Sequence, residues 1–237
     1  MPICPTPDLP VPTFIVGPSI DPFGEFNREM SRAETEQALH ELQIPADRAL
    51  VLLFLSRGTP EEILEDMDVW KGVRGSRSAT LVLVDVGLGQ SNAGNLPGGS
   101  GGAIRHGEDV FLVCVTDWNP RPLAALERAA QAAIDGSRSP WPNLHVLDLL
   151  WKSKPVLVAN ESRTAKLVRD CDLETYRSPQ ELAWRLGGLL RDEERARRLG
   201  QSGRNCVLQQ YLPPRQLLDY LKLMLYLEER SGPISML

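Results

Sequence analysis

The chain is punctuated by nearly continuous apolar runs at Ala49–Leu55, Ala79–Val86, Val110–Val115 and Pro155–Val158. Such runs, apolar without strict alternation, predict strands buried on both faces, as in a parallel sheet. A shorter run, Phe14–Val16, predicts a strand that Gly17-Pro18 stops. Between the runs the apolar period lengthens to that of helices. Ser31 to Leu42 has Ser at the N-cap, Glu34 at the capping-box position, and Ala38, Leu39 and Leu42 at helical spacing. Thr59-Pro60-Glu61-Glu62 opens a helix to about Trp70, with Pro at the first helical position. The Ala-rich stretch Pro122–Ile134 and the stretch Asn143–Lys152 both predict helices.

The last third is helical. Ser178-Pro179-Gln180-Glu181 starts one helix, with Leu182, Leu186, Leu189 and Leu190 behind it. A second begins near Asp192 and is expected to break at Gly200, and a third runs from Pro214 to Glu229. Apolar strands alternating with helices predict α/β architecture. The expectation is a single doubly wound Rossmann-like domain over residues 14–230, with a parallel sheet of five or six strands and a helical C-terminal region. Residues 1–13 carry five prolines and predict an extended lead-in. Gly87 to Gly107, with eight glycines and no lysine, predicts a loop. It matches neither G-x-x-x-x-G-K-[ST] nor G-x-G-x-x-G, so a phosphate cradle is not indicated.

In Pro214–Glu229, nine apolar or aromatic residues from Leu217 to Leu227 cover nearly the whole helix circumference. A helix of that kind needs cover on more than one side. It either folds back within the monomer or forms a homo-oligomer or protein-partner interface.

Composition narrows the classes. Among 237 residues, 42% are hydrophobic and 24% charged, as in a globular protein. The net charge of −5 provides no positive field for nucleic acid. No apolar run approaches the ~20 residues that span a bilayer. The N-terminus lacks the pattern of a signal peptide, so a cytoplasmic protein is expected. Cys4, Cys114, Cys171 and Cys206 form no C-x-x-C half-site, and His40, His106 and His145 form no metal-binding motif. No metal site and no cofactor are predicted. Neither a nucleophile motif nor a ligand cluster points to a hydrolase.

Two stretches carry a resemblance. One is Gly17-Pro-Ser-Ile-Asp-Pro-Phe-Gly-Glu-Phe-Asn-Arg-Glu29, followed by a helix, the turn Ile44-Pro-Ala-Asp-Arg48, a buried strand and Ser56-Arg57. The other is Leu149-Leu-Trp-Lys-Ser-Lys-Pro-Val-Leu-Val158, with the tail Ala196–Arg204, Val207 and Tyr211. Together they resemble the C-terminal, nucleotide-sugar-binding half of retaining GT-B glycosyltransferases, in the trehalose synthase-like branch.

The resemblance implies half of a GT-B fold, with the acceptor domain absent or supplied by another chain. It also implies a nucleoside diphosphate or nucleotide-sugar site, to which Arg57 would bring a phosphate contact and Asp148 a ribose contact. Lys152, at the start of the Trp-Lys segment, is a further phosphate candidate. Each has a plainer reading: a strand-end arginine, a helix-surface acid and a solvated lysine. Trp151 is expected to pack rather than to stack on a ligand.

The departures bear on activity. The family's two glutamates, eight positions apart, fall on Pro140 and Asp148, and proline offers a sugar neither carboxylate nor N–H. Gly58-Thr-Pro-Glu-Glu62 puts acids where the family has a lysine, and Asn160–Thr164 replaces a glycine pair. Transfer needs cations or dipoles on the departing diphosphate. The sequence therefore favours a degenerate, non-catalytic interaction or regulatory protein. The alternative is a donor-binding subunit of a split enzyme that uses UDP- or ADP-glucose.

Overall fold

The protein is described by a computed structural model covering residues 17–55, 70, 79–86, 103–105, 109–115, 120–136 and 141–231. The expected lead-in, the strand at 14–16, the helix from Thr59 (apart from Trp70), Arg57, Pro140 and most of the Gly-rich stretch lie outside those residues.

Strands β1 (Ala49–Leu55), β2 (Ala79–Val86), β4 (Val110–Val115) and β6 (Val156–Ala159) fall on the apolar runs. To them are added β3 (Ala103–Arg105), β5 (Ala132–Asp135) and β7 (Glu174–Tyr176). The sheet runs in the order β3-β4-β2-β1-β5-β6-β7. All neighbours are parallel except β3, an antiparallel edge beside β4. Six strands thus form the expected parallel sheet, and β3 adds an antiparallel seventh at its edge, inside the stretch expected to be loop.

The strand order reverses between β1 and β5. In an open α/β sheet this makes the crevice beyond their C-terminal ends the place for ligands.

The helices are α1 (Arg32–Glu41), α2 (Arg121–Ala129), α3 (His145–Trp151), α4 (Arg163–Leu167), α5 (Pro179–Arg191), α6 (Glu193–Gln210) and α7 (Pro213–Ser231). Ser31 caps α1 in a reciprocal box with Glu34, and Ser178 caps α5 by accepting from the Glu181 N–H. Alternate residues of β1 feed two cores. Leu50, Leu52 and Phe54 pack with Leu126 of α2 and Leu147 of α3, whereas Val51 and Leu53 pack with Trp70 and Leu186 of α5. Each fully buried leucine contributes about 1.5–3 kcal/mol.

Two expectations are corrected. The helix expected over Pro122–Ile134 stops at Ala129, and Ala132–Asp135 is a fully buried strand. Its place between β1 and β6 overrides the helical preference of alanine. Next, α6 runs unbroken through Gly200. A Cβ at Gly200 would meet the Ser153 carbonyl oxygen at 2.0 Å, so glycine serves close packing there and not a break.

Of the two outcomes expected for α7, burial against the other described residues is the one not seen. Leu217 (59% exposed), Leu218, Tyr220, Leu221, Met224 (65%), Leu225 and Leu227 face outward. At about 100° per residue they fill one half of the helix circumference. The inner side carries Arg215, Gln216, Asp219, Leu223 and Tyr226, all half-buried. Gln216 donates to the Gly17 carbonyl (3.0 Å) and accepts from Ser19 Oγ (2.8 Å). The side turned in carries most of the polar residues near the helix start, and the side turned out is mainly apolar.

Cys171, after α4, and Cys206, in α6, form a disulfide that the sequence does not announce. No helix among the described residues is long and apolar enough to cross a membrane.

Candidate functional site

The site is built where α2, α3 and the segment before α1 meet the end of β1. Helix α3 begins at His145, its first turn held by Asn143, whose Oδ1 accepts from the His145 N–H (3.1 Å). Asn143 is anchored in turn on Asp135 at the end of β5 and on Thr164 of α4. Residues three and four apart on α3 share a face. His145, Asp148 and Lys152 therefore line up toward α2 and the single 3-10 turn at Glu25–Asn27.

Lys152 is almost sealed, at 4% exposed, and donates to Glu127 Oε2 (2.6 Å) and to Asn27 Oδ1 (2.9 Å). The Asn27 amide then donates to Asp148 Oδ1 (2.6 Å) and to the Asp21 carbonyl (2.9 Å). Glu127, on α2, is fully buried. Burial pushes its carboxyl up to about 7, against the pull of the Lys152 ammonium and with a further push from Asp148.

His145 is fixed by two rings. Phe54 lies parallel to it at 5.8 Å, and Phe26 meets it edge-on at 5.5 Å. Its Nδ1 stands 3.4 Å from Asp148 Oδ2 and 3.9 Å from Glu127 Oε1.

Two of the three residues picked from the sequence are thus brought together: Asp148 and Lys152 share Asn27 as a partner. Neither is the solvated side chain of its plainer reading. Arg57, the third candidate, lies outside the described residues. Trp151 packs on the core as expected, with the Arg204 guanidinium 4.9 Å from its ring centre.

The sequence reading missed Asn27, Glu127 and His145. Glu127 follows Leu123 by four positions, on the face that Leu123 and Leu126 bury, and an acid in that place was the available signal. His145 and Asp148 stand three apart on one helix, a weaker one.

No family model matches the chain. Trehalose synthase from Rubrobacter xylanophilus is 26% identical over 220 residues, which cover 88% of this chain and 51% of that protein. The chain thus spans about half the length of the curated relative it matches. Among solved structures, HepE from Anabaena in complex with UDP-glucose superposes with a TM-score of 0.60 at 16% identity, over 82% of this chain and 53% of that one. The C-terminal domain of a group 1 glycosyltransferase, LpcC from Francisella tularensis, gives a TM-score of 0.54 at 12% identity, over 76% of this chain and 93% of that one. The chain has the fold of a GT-B C-terminal domain and is trehalose synthase-like in sequence.

Proposed function

We propose that this GT-B-related, glycosyltransferase-like chain acts as a non-catalytic interaction or regulatory protein rather than as an autonomous transferase. One observation carries the reading. Asp148 and Lys152, the candidate ribose and phosphate contacts, spend their hydrogen bonds on Asn27 and Glu127 inside the protein. A nucleotide would have to displace those partners, and the buried Glu127 would lose its cation, a change that costs several kcal/mol. The interaction surface is the outward half of α7, taken by a second copy or by another protein. Contiguous apolar patches beyond a few hundred Å² mark such surfaces.

Calorimetry of the purified chain with UDP, ADP and their glucose conjugates tests the first part. The expected result is binding no tighter than about micromolar, roughly −8 kcal/mol, and nanomolar binding overturns the reading. Light scattering tests the second part. Association is expected, and Leu221→Glu should weaken it; a monomer that captures no partner and is indifferent to Leu221→Glu removes α7 from the proposal.

A second reading, the donor-binding subunit of a split transferase using UDP- or ADP-glucose, draws support from the UDP-glucose bound to HepE. Micromolar nucleotide binding lost on both Arg57→Ala and Asp148→Ala would favour it.

A further inference from the structure

We propose that Glu127 Oε1, His145 Nδ1 and Asp148 Oδ2 form a three-ligand site for a divalent transition-metal ion, with Zn²⁺ the best chemical match. These atoms come from two helices and lie within 4.8 Å of one another.

Each carboxylate uses only one of its two oxygens in the hydrogen-bond network. Glu127 Oε2 accepts from Lys152, and Asp148 Oδ1 accepts from Asn27. The second oxygen of each carboxylate faces His145 Nδ1, at 3.9 and 3.4 Å. Glu127 Oε1 and His145 Nδ1 are buried without a hydrogen-bond partner among the described residues. A buried polar atom left unpaired costs about 1–3 kcal/mol, more when charged, so two of them side by side point to a missing partner. One cation would satisfy both.

Geometry and charge agree. Zinc sits about 2.0–2.2 Å from His nitrogen and carboxylate oxygen, which in a tetrahedron sets ligand atoms roughly 3.4 Å apart. The His145–Asp148 distance already has that value, and the other separations need modest side-chain adjustment. Two carboxylates, one ammonium and a neutral imidazole leave one net negative charge, which suits a dication. A mixed nitrogen and oxygen set favours Zn²⁺ over Mg²⁺ or Ca²⁺. The surroundings are those of a built ligand set. Lys152 and Asn27 orient the carboxylates, and Phe26 and Phe54 hold the imidazole. The His145 and Asp148 side chains are 20% and 14% exposed, so the cluster lies close to the surface.

The inference rests on these three side chains and not on the proposed function. The test uses the full chain stripped with a chelator and titrated with Zn²⁺ against a chromophoric competitor, with Co²⁺ absorption as a second readout. One equivalent should bind and raise the melting temperature. His145→Gln should weaken binding at least tenfold, and Asp148→Asn, nearly isosteric, should do likewise with circular dichroism unchanged. Failure of the parent chain to bind, or binding that survives both substitutions, overturns the site. A nucleotide result in either direction leaves this outcome untouched.

Discussion

Lys152 Nζ lies 2.6 Å from Glu127 Oε2, and the two side chains are 4% and 0% exposed. So buried a pair is costly to break and of little net worth to keep. Lys152→Met, which strands the carboxylate, should lower unfolding free energy by about 3–5 kcal/mol. The double change Glu127→Leu with Lys152→Met should bring stability back to within roughly 1 kcal/mol of the parent, or above it. Urea unfolding of the three proteins measures this, and a double variant as unstable as the single would contradict it.

Helix α3 ends in a turn that normally calls for glycine. Lys154 N–H donates to the Leu149 carbonyl and Ser153 N–H to the Leu150 carbonyl, with Ser153 at φ 58°. A side chain in that left-handed conformation costs roughly 1–2 kcal/mol. Ser153→Gly should therefore stabilise the protein by about 1 kcal/mol. The Gly200 contact is with the Ser153 carbonyl, which the change leaves in place. A melting temperature that falls would count against this account.

Lys154 supplies a pH dependence. Burial, with Arg128 and Lys152 adding repulsion, pushes its ammonium down to about 8 from an ordinary 10.5. Between those values the unfolded chain binds more protons than the folded one, so this group makes stability rise with pH across the window. The penalty is fully present below about 8 and fades toward 10.5. Lys154→Met should flatten that rise in unfolding free energies measured from pH 8 upward, and an unchanged slope would refute the assignment.

The Cys171–Cys206 bond joins residues 35 apart in sequence. Loop-closure entropy predicts that reduction costs roughly 3–4 kcal/mol. Unfolding with and without dithiothreitol, beside a Cys171→Ser, Cys206→Ser double variant, checks it. The double variant should match the reduced parent.

Much of the fold was legible because its signals are local. Ser31 with Glu34, Ser178 with Glu181 and the apolar strands each announce themselves within a few residues. Strand β5 did not. Ala132-Ala-Ile-Asp135 reads as more of the preceding alanine helix, and its sheet neighbours alone make it a strand. The site divides in the same way. Asp148 and Lys152 came from a resemblance. Their shared partner Asn27 lies 121 residues from one and 125 from the other, a separation that no local pattern bridges. Gly200 misled for a related reason: a glycine that ends a helix and one that lets a helix approach a carbonyl look alike until the carbonyl is in place.

The disulfide also closes a covalent ring. Residues 171 to 206 carry β7, all of α5 and most of α6 on one loop of chain tied at its base. A protease that cuts inside that loop produces a nicked molecule of undiminished mass, whereas a cut outside it separates two pieces once the fold is lost. Limited proteolysis, run on gels with and without reductant, thus reports which side of the ring any accessible bond lies on. It turns the cross-link into a ruler for locating the chain's exposed segments.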